Sequence, residues 1–324
     1  MEAVRRFSHT VNHQLLAGLE IWSLGGICSA PCPSAPFTTM PELMFALMGL
    51  AVLAALVGIP WWQRQRRQRL GTRPFPAAWR KLLQRQFPLY NHLPHLLQKR
   101  LQAMVQVFVA EKPIIGCQGL QVTDDMRVLI AAQACVPVLA LHATSESAHP
   151  YPDLRQILLY PSAFVVQAKR PEPGGVVSEE REVRLGESWQ EGLVVLSWPD
   201  VRAGARSGQW GHASAEPSHN VVMHEFAHQL DQETGPANGA PALRKGQSQQ
   251  TWAQVFRQAF QELRWLAEAG EPTLLDAYGA TAPEEFFAVA TETFFMSPKA
   301  VSAQHPALYE QLQRYYGMDP QAWS

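Results

Sequence analysis

The longest uncharged stretch of the sequence constrains its fold most strongly. Residues 43–62 are 20 consecutive residues without a charged side chain, and most of them are Leu, Ala, Val, Met or Phe. A helix rises about 1.5 Å per residue, so this stretch reaches about 30 Å, the thickness of the hydrocarbon core of a bilayer. The pattern predicts a single transmembrane helix. The alternative is a helix buried in a protein core.

The residues that follow the stretch predict its orientation. Trp61 and Trp62 end it, and tryptophan favours the interface between lipid and water. The next seven residues include four arginines: Arg64, Arg66, Arg67 and Arg69. Positive charge after the span places the C-terminal side in the cytoplasm, so we expect a single-pass protein of the inner membrane. A cleaved signal peptide needs charged residues before the apolar stretch and a small-residue cleavage site after it, and this sequence has neither.

The rest of the chain divides by composition. Residues 1–42 show no sustained period, and we interpret them as a disordered tail or an over-extended start. Residues 63–80 are interpreted as a basic linker that can contact anionic lipids. Residues 81–150 are predicted to be helical. Residues 151–324 are predicted to mix helices with short strands, which gives an α+β fold.

Periodicity and turn residues place the elements of this last part. The predicted strands are residues 156–160, 163–167 and 193–198, and the last of these is our candidate for an edge strand that binds an extended peptide. Glycine and serine predict a loop at residues 202–218. The predicted helices are residues 220–232, 249–269, 283–296 and 307–316.

Composition excludes several classes of protein. Hydrophobic residues make up 47% and charged residues 17%, so the chain can bury a large core and is not disordered throughout. Lys+Arg 27 against Asp+Glu 28 gives a net charge of -1, and we expect no nucleic-acid partner. The four cysteines are too few for a disulfide framework, and we expect none of them to bind a metal.

Two histidines four residues apart carry the chemistry. His224 and His228 would lie on one face of a helix, one turn apart, where both imidazoles can reach one zinc ion. Glu225 borders the same site and can take a proton from an attacking water, as the glutamate of H-E-x-x-H peptidases does. The alternative is a pair of hydrogen-bonded histidines in the core.

Two further residues belong to this predicted helix. Ser218 can cap its start. Asp231 lies three residues after His228 on the same stripe, where it can accept the second N–H of a ligand imidazole. Alternatively, Asp231 faces water at the end of the helix.

Two histidines leave a catalytic zinc ion one protein ligand short, and no third histidine follows at the usual spacing. The best candidate lies on the helix predicted from residue 283. Thr281 and Glu284 resemble a capping box, which would leave Glu285 free to point at the metal. Glu292 lies seven residues later on the same face and can support the site. The alternative for Glu285 is a solvated acid at a helix N-terminus.

Tyr278 precedes Glu285 by seven residues, in a turn-like segment. Its phenol can donate a hydrogen bond to the oxyanion that forms on the scissile carbonyl. The alternative is an ordinary half-buried tyrosine.

These segments resemble a known family. Residues 220–231 (NVVMHEFAHQLD) and 278–289 (YGATAPEEFFAV), with residues 157–166 and 186–198, resemble the Mlc titration factor A family of zinc peptidases. The resemblance covers roughly residues 86–320.

The resemblance implies a zincin-like α+β metallopeptidase domain, distantly like the protease domain of anthrax lethal factor. It implies one zinc ion held by His224, His228 and Glu285. Glu225 is then the general base, and Tyr278 stabilises the oxyanion. It also implies a weak aminopeptidase-like activity and, in the namesake, binding of a glucose-regulon repressor. The predicted span and basic linker are departures from the soluble namesake.

The sequence therefore predicts a zinc peptidase that acts on a peptide or protein substrate. The alternative is a regulatory binding protein that captures a repressor or another partner and has incidental peptidase activity. A membrane-surface scaffold is a third interpretation, which the intact H-E-x-x-H motif disfavours.

Overall fold

The computed structural model describes residues 40–141, 151–162, 164–171, 177–184, 186–189, 192–208 and 219–323. Residues 1–39 of the predicted tail and residues 209–218 of the predicted loop are outside the described part of the chain. The chain divides into two compact units, Met1–Leu56 and Val57–Ser324. The sheet, the buried helices and the arginine-rich end of the first helix all belong to the second unit.

The described residues form a helix-rich α+β structure. The helices are α1 (Met40–Gly71), α2 (Ala77–Gln86), α3 (Pro88–His92), α4 (His95–Glu111), α5 (Asp124–Cys135), α6 (Trp198–Arg206), α7 (Val221–Asp231), α8 (Gln249–Ala269), α9 (Pro283–Met296), α10 (Pro298–Gln304) and α11 (Pro306–Tyr316). Short 3-10 turns lie at Gln232–Thr234, Ala277–Ala280 and Pro320–Ala322. The strands are β1 (Ile114–Gly116), β2 (Gln156–Tyr160), β3 (Phe164–Pro171), β4 (Val177–Arg184), β5 (Gly186–Trp189) and β6 (Leu193–Ser197).

Helix α1 is longer than the predicted span. It contains 32 residues, and Leu43–Gly71 is long and apolar enough to cross a membrane, with none of its most apolar part buried. Residues 63–71 of the predicted linker therefore belong to this helix. Gln and Arg, which dominate this segment, favour helix, and Pro74 and Pro76 then prevent its continuation into α2.

The main sheet has the strand order β1-β2-β6-β5. β1 and β2 are parallel, β2 and β6 are parallel, and β5 runs antiparallel to β6. β6 is therefore an inner strand with neighbours on both sides, so the prediction that residues 193–198 form an edge strand is wrong. The sequence pattern did not reveal this, because the order of strands depends on non-local pairing. β3 and β4 form a separate antiparallel pair.

Helix α6 occupies part of the predicted loop at residues 202–218. Pro199 lies in its first turn, where proline is well tolerated, and Val201 and Ala205 are buried one turn apart. Gly204 packs closely on the segment before α7, since a Cβ atom there would lie 3.1 Å from the Cα atom of Asn220. The loop prediction is therefore wrong for Arg202–Arg206.

Helices α7 and α9 cross at the centre of the core. All residues from Phe286 to Met296 in α9 and from Val222 to Asp231 in α7 are buried. Helix α8 covers α9 through aromatic contacts. Within α8, Trp252 stacks on Phe256 with ring centroids 3.9 Å apart, and Phe256 meets Phe286 of α9 edge-on. Helices that are buried on all sides hold their side chains in fixed positions, and these two helices carry the candidate site.

Candidate metal centre

Asn220 fixes the start of α7, the helix that carries the histidine pair. Its side-chain oxygen accepts a hydrogen bond from Met223 N at 3.0 Å, and its amide donates to Gly204 O at 3.1 Å. Asn220 is fully buried, so the cap is shielded from water. Ser218, the predicted cap, lies outside the described residues, and the capping position belongs to Asn220.

Three side-chain atoms converge between α7 and α9. His224 Nε2 and His228 Nε2 lie 3.2 Å apart. Glu285 Oε2 lies 3.0 Å from His224 Nε2 and 3.3 Å from His228 Nε2. His224, His228 and Glu285 are the group of potential metal ligands found within the described residues. The structure thus brings together the three ligands that were predicted.

These distances fit a tetrahedral metal ion. At the usual zinc–ligand distances, a tetrahedral ion separates its ligand atoms by about 3.3 Å. His224 Nδ1 lies 2.6 Å from Glu292 Oε1, and a proton on Nδ1 that is donated to this carboxylate leaves a lone pair on Nε2. A lone pair on His224 Nε2 that faces the Glu285 carboxylate needs a proton or a metal ion between the two atoms. The donor set therefore fits a divalent ion held by two nitrogens and one oxygen.

The local electrostatics also favour positive charge. Burial opposes a charged His224, but hydrogen bonds to Glu285 and Glu292 outweigh it and raise the pKa of this imidazole well above its ordinary value. Burial likewise opposes ionisation of Glu285, yet hydrogen bonds to His224 and His228 lower the pKa of its carboxyl group strongly. Both shifts arise from the short contacts between the imidazoles and the carboxylates, which favour ionised Glu285 next to positive charge.

Glu225 lies next to the candidate ligands and has one carboxylate oxygen that no described protein group satisfies. The side chain is buried, and its Oε2 has no hydrogen-bond partner among the described residues. Burial raises the pKa of Glu225 to about 7, against the attraction of His224 and His228. A buried, unpaired carboxylate oxygen is costly unless a solvent or substrate group uses it.

Glu292 contacts His224, the first candidate ligand. Besides the 2.6 Å contact with His224 Nδ1, it accepts a hydrogen bond from Asn220 N at 2.8 Å. His219 Nδ1 lies 3.4 Å from the same carboxylate. Burial opposes ionisation of Glu292, but hydrogen bonds from His219 and His224 outweigh it and lower the pKa of its carboxyl group. His219 is a residue that sequence reasoning missed, because it precedes α7 and no spacing rule connects it to Glu292.

Asp231 has a different role from the one predicted. Its Oδ2 accepts hydrogen bonds from Asn238 N at 2.8 Å and Gly239 N at 2.7 Å. Gly239 lies against the first residue of α9, where a Cβ atom would be only 2.5 Å from Pro283 O. Asp231 therefore holds the loop before α8 in a position where it packs against the start of α9. The bond to a ligand imidazole that was predicted for Asp231 is made instead by Glu292.

Tyr278 lies at the open side of the site. Its ring centroid is 6.0 Å from that of His224, and the side chain is 41% exposed. Asp276 accepts a hydrogen bond from Tyr278 N at 2.8 Å and thereby fixes the 3-10 turn. An exposed phenol beside a candidate ligand is accessible to a substrate.

The predicted capping box is wrong. The cap residue of α9 is Ala282, without a side-chain hydrogen bond, and the Thr281 hydroxyl donates to Tyr278 O at 2.7 Å. The 3-10 turn before α9 engages this hydroxyl, so it does not cap the helix. Glu285 nevertheless points at the histidines, because it lies in the first turn of a helix that packs on α7.

An H-E-x-x-H helix packed against a second helix that supplies a carboxylate is the arrangement of a metallopeptidase. The chain belongs to the family of glucose-regulated metallo-peptidases M90, whose sequence model matches residues 60–317. The family implies a metal ion, which agrees with the three converging ligand atoms.

Individual relatives support the same assignment. The uncharacterized protein slr2042 of Synechocystis is 38% identical over 282 residues, which are 87% of this chain and 98% of the relative. Mlc titration factor A of Serratia proteamaculans is 32% identical over 249 residues, 76% of this chain and 88% of the relative. Mlc titration factor A of Klebsiella pneumoniae is 32% identical over 238 residues, 72% of this chain and 84% of the relative. The resemblance drawn from the sequence motifs is confirmed.

Proposed function

We propose that the chain is a zinc-dependent peptidase with a zincin-like catalytic domain, which hydrolyses peptide bonds in peptide or protein substrates. The observation that carries this proposal is the convergence of His224 Nε2, His228 Nε2 and Glu285 Oε2 within 3.3 Å of one another. Glu225, which directly follows His224, adds a buried carboxylate oxygen that has no hydrogen-bond partner among the described residues.

The donor set supports zinc as the metal. Two imidazoles and one carboxylate are the protein ligands of several catalytic zinc sites, which keep a fourth position open for water or substrate. One set of ligands predicts one zinc ion per chain. A bound ion would supply a Lewis acid that polarises the substrate carbonyl and acidifies water.

Three protein side chains have distinct roles in the proposed hydrolysis. Glu225 is placed to accept a proton from the attacking water, because its buried Oε2 has no hydrogen-bond partner within the part of the chain that the structure describes. The same carboxyl group then returns the proton to the departing amine. Tyr278 donates a hydrogen bond to the oxygen of the tetrahedral intermediate. Glu292 keeps His224 in one tautomer throughout the reaction.

The sheet suggests where a substrate lies. β5 has a hydrogen-bonded neighbour, β6, on one side only among the described strands, and α7 packs against it. An extended peptide that adds to the outer edge of β5 would lie beside the helix that carries His224 and His228. β5 thus replaces β6 as the candidate substrate strand.

The ligand assignment is tested by metal analysis. We expect one zinc ion per chain in the wild-type protein and a large loss of zinc in Glu285→Ala. Glu284→Ala is the matched control, since it removes a carboxylate from the neighbouring position and should keep full zinc. Full zinc occupancy in Glu285→Ala would refute the ligand set.

A pair of peptides tests the aminopeptidase-like activity that the family resemblance suggests. Two fluorogenic peptides of identical sequence, one with a free and one with an acetylated N-terminus, are incubated with the zinc-loaded protein. We expect faster cleavage of the free peptide at its first bond. Preferential cleavage of the acetylated peptide at an internal bond would indicate an endopeptidase.

The names of the relatives favour a second candidate function. Several relatives are called Mlc titration factor A, a name that describes the titration of a protein called Mlc. This chain would then be a regulatory protein that captures a repressor. Binding of such a partner that persists in Glu225→Gln, without cleavage of any peptide by the wild-type protein, would support this candidate over the peptidase.

We also propose that α1 anchors the chain in the inner membrane by a single span. Its apolar part is exposed, and a helix in lipid satisfies its own backbone hydrogen bonds. The arginines that follow resist translocation and keep the catalytic domain in the cytoplasm.

A further inference from the structure

The arginine-rich end of α1 forms a cavity that the peptidase mechanism does not use. Its volume is about 350 Å³. Its walls combine two tryptophans, three arginines and two other residues: Trp61, Trp62, Gln65, Arg66, Arg69, Leu70 and Arg73. Aromatic rings next to guanidinium groups can bind a ligand that has an apolar part and an anionic part.

The charge of this cavity is strongly positive. Between residues 61 and 76 the sequence has five arginines and no acidic residue. The nearest carboxylate, Glu111 on α4, is engaged mainly by Arg67, at 2.9 Å and 3.0 Å. Arg66 approaches Glu111 only at 3.5 Å, and its side chain remains 43% exposed. Arg69 and Arg73 are exposed and have no carboxylate partner in the described part of the chain.

The Arg67–Glu111 pair fixes the wall of the cavity to the folded domain. Both side chains are largely buried, at 14% and 11% exposure. Gln106 Nε2 on the same helix donates to Arg73 O at 3.2 Å, which holds the segment after α1 in place. These two contacts fix the backbone of this end of α1 to the compact unit that contains the metal centre.

The position of the cavity along α1 matches the depth of lipid headgroups. The headgroup region adds about 5–7 Å to each side of the hydrocarbon core. Trp62 ends the apolar stretch, and Arg69 lies seven residues later, about 10 Å further along the helix. Side chains on a helix point back towards its N-terminus, which moves the guanidinium of Arg69 towards the level of the lipid phosphates.

We propose that this cavity binds the headgroup of an anionic glycerophospholipid. The phosphate would lie against Arg66, Arg69 and Arg73, and the glycerol and upper acyl carbons would contact Trp61 and Trp62. A free phosphate ion shares the anionic chemistry but has no apolar part, so it would leave the tryptophan wall unused. The inference rests on the membrane anchor proposed above and is independent of peptidase activity.

The test uses the full chain in lipid nanodiscs made of equal parts phosphatidylglycerol and phosphatidylcholine. Native mass spectrometry measures which lipids remain bound when the protein is released. We expect enrichment of phosphatidylglycerol that falls about 25-fold in the double variant Arg69→Gln/Arg73→Gln, or about five-fold for each arginine. The control Arg257→Gln/Lys299→Gln removes two exposed cations elsewhere and should keep the enrichment.

The other outcomes overturn the proposal in distinguishable ways. Insertion into nanodiscs without enrichment, or with equal enrichment in the double variant, would refute the cavity as a lipid site and leave the anchor intact. Failure of the chain to enter nanodiscs would refute the anchor and the lipid site together. Displacement of bound phosphatidylglycerol by millimolar inorganic phosphate would assign the cavity to a free anion. None of these results depends on hydrolysis of a peptide.

Discussion

Replacing Glu292 with glutamine should weaken zinc binding without unfolding the chain. The carboxylate is 2% exposed and accepts hydrogen bonds from His224 Nδ1 at 2.6 Å and Asn220 N at 2.8 Å. Glutamine has nearly the same shape but only one acceptor oxygen, so one of these two N–H groups will face an amide NH₂ group. His224 then loses its fixed tautomer or α7 loses a contact at its first turn.

The size of the effect follows from the contact that is lost. A hydrogen bond to a charged acceptor contributes about 1.5–3 kcal/mol, which corresponds to roughly 10–100-fold in a binding constant. Removal of the partner of a metal-bound imidazole commonly has an effect in this range. Competition with a chromogenic zinc chelator measures the Kd of the wild-type and Glu292→Gln proteins directly.

Glu284→Gln is the matched control for this experiment. It makes the same chemical change on the same helix, and Glu284 has no described contact with the metal ligands. The Kd of the control should equal that of the wild-type protein. An unchanged zinc Kd in Glu292→Gln, together with an unchanged Tm, would show that Glu292 does not orient His224 and would refute the reasoning.

Three further predictions concern the oxyanion, the helix cap and the anchor. Tyr278→Phe should lower kcat by roughly 10²–10³ with little change in zinc content, whereas a change confined to KM in steady-state kinetics would assign the phenol to substrate binding. Asn220→Ala removes the acceptor for Met223 N and should lower the free energy of unfolding by about 1–2 kcal/mol in urea denaturation; no change would exclude a stabilising cap. Full-length protein should stay in the membrane pellet through a carbonate wash, and its release would contradict the spanning role of α1.

Local geometry explains which parts of the fold were predictable. Helices α8 and α9 have the predicted bounds, Gln249–Ala269 and Pro283–Met296, because their periodicity and end signals are local in sequence. The convergence of His224 and His228 follows in the same way from their spacing of four on one helix. Strand β2 also has the predicted bounds, since a short β-branched and aromatic run ends at a proline.

The features that were missed depend on contacts between distant parts of the chain. Asp231 was predicted to accept a hydrogen bond from a ligand imidazole, and Glu292 was predicted to support the site. Only the packing of α9 on α7 decides that the contact with His224 is made by Glu292. The inner position of β6 depends on its pairing with β2 and β5. His219 reaches Glu292 across 73 residues, which no motif encodes. The capping role of Asn220, which was expected of Ser218, depends on the burial of Asn220 against Gly204.

The most direct test of the central claim compares peptide hydrolysis by the wild-type protein and Glu225→Gln, each loaded with one zinc ion per chain. The glutamine fills the same space but cannot accept a proton at neutral pH. We expect cleavage by the wild-type protein, with a rate proportional to its zinc content, and loss of nearly all hydrolysis in the variant. Comparable turnover by the two zinc-loaded proteins would contradict the role of Glu225 and of the site built around it.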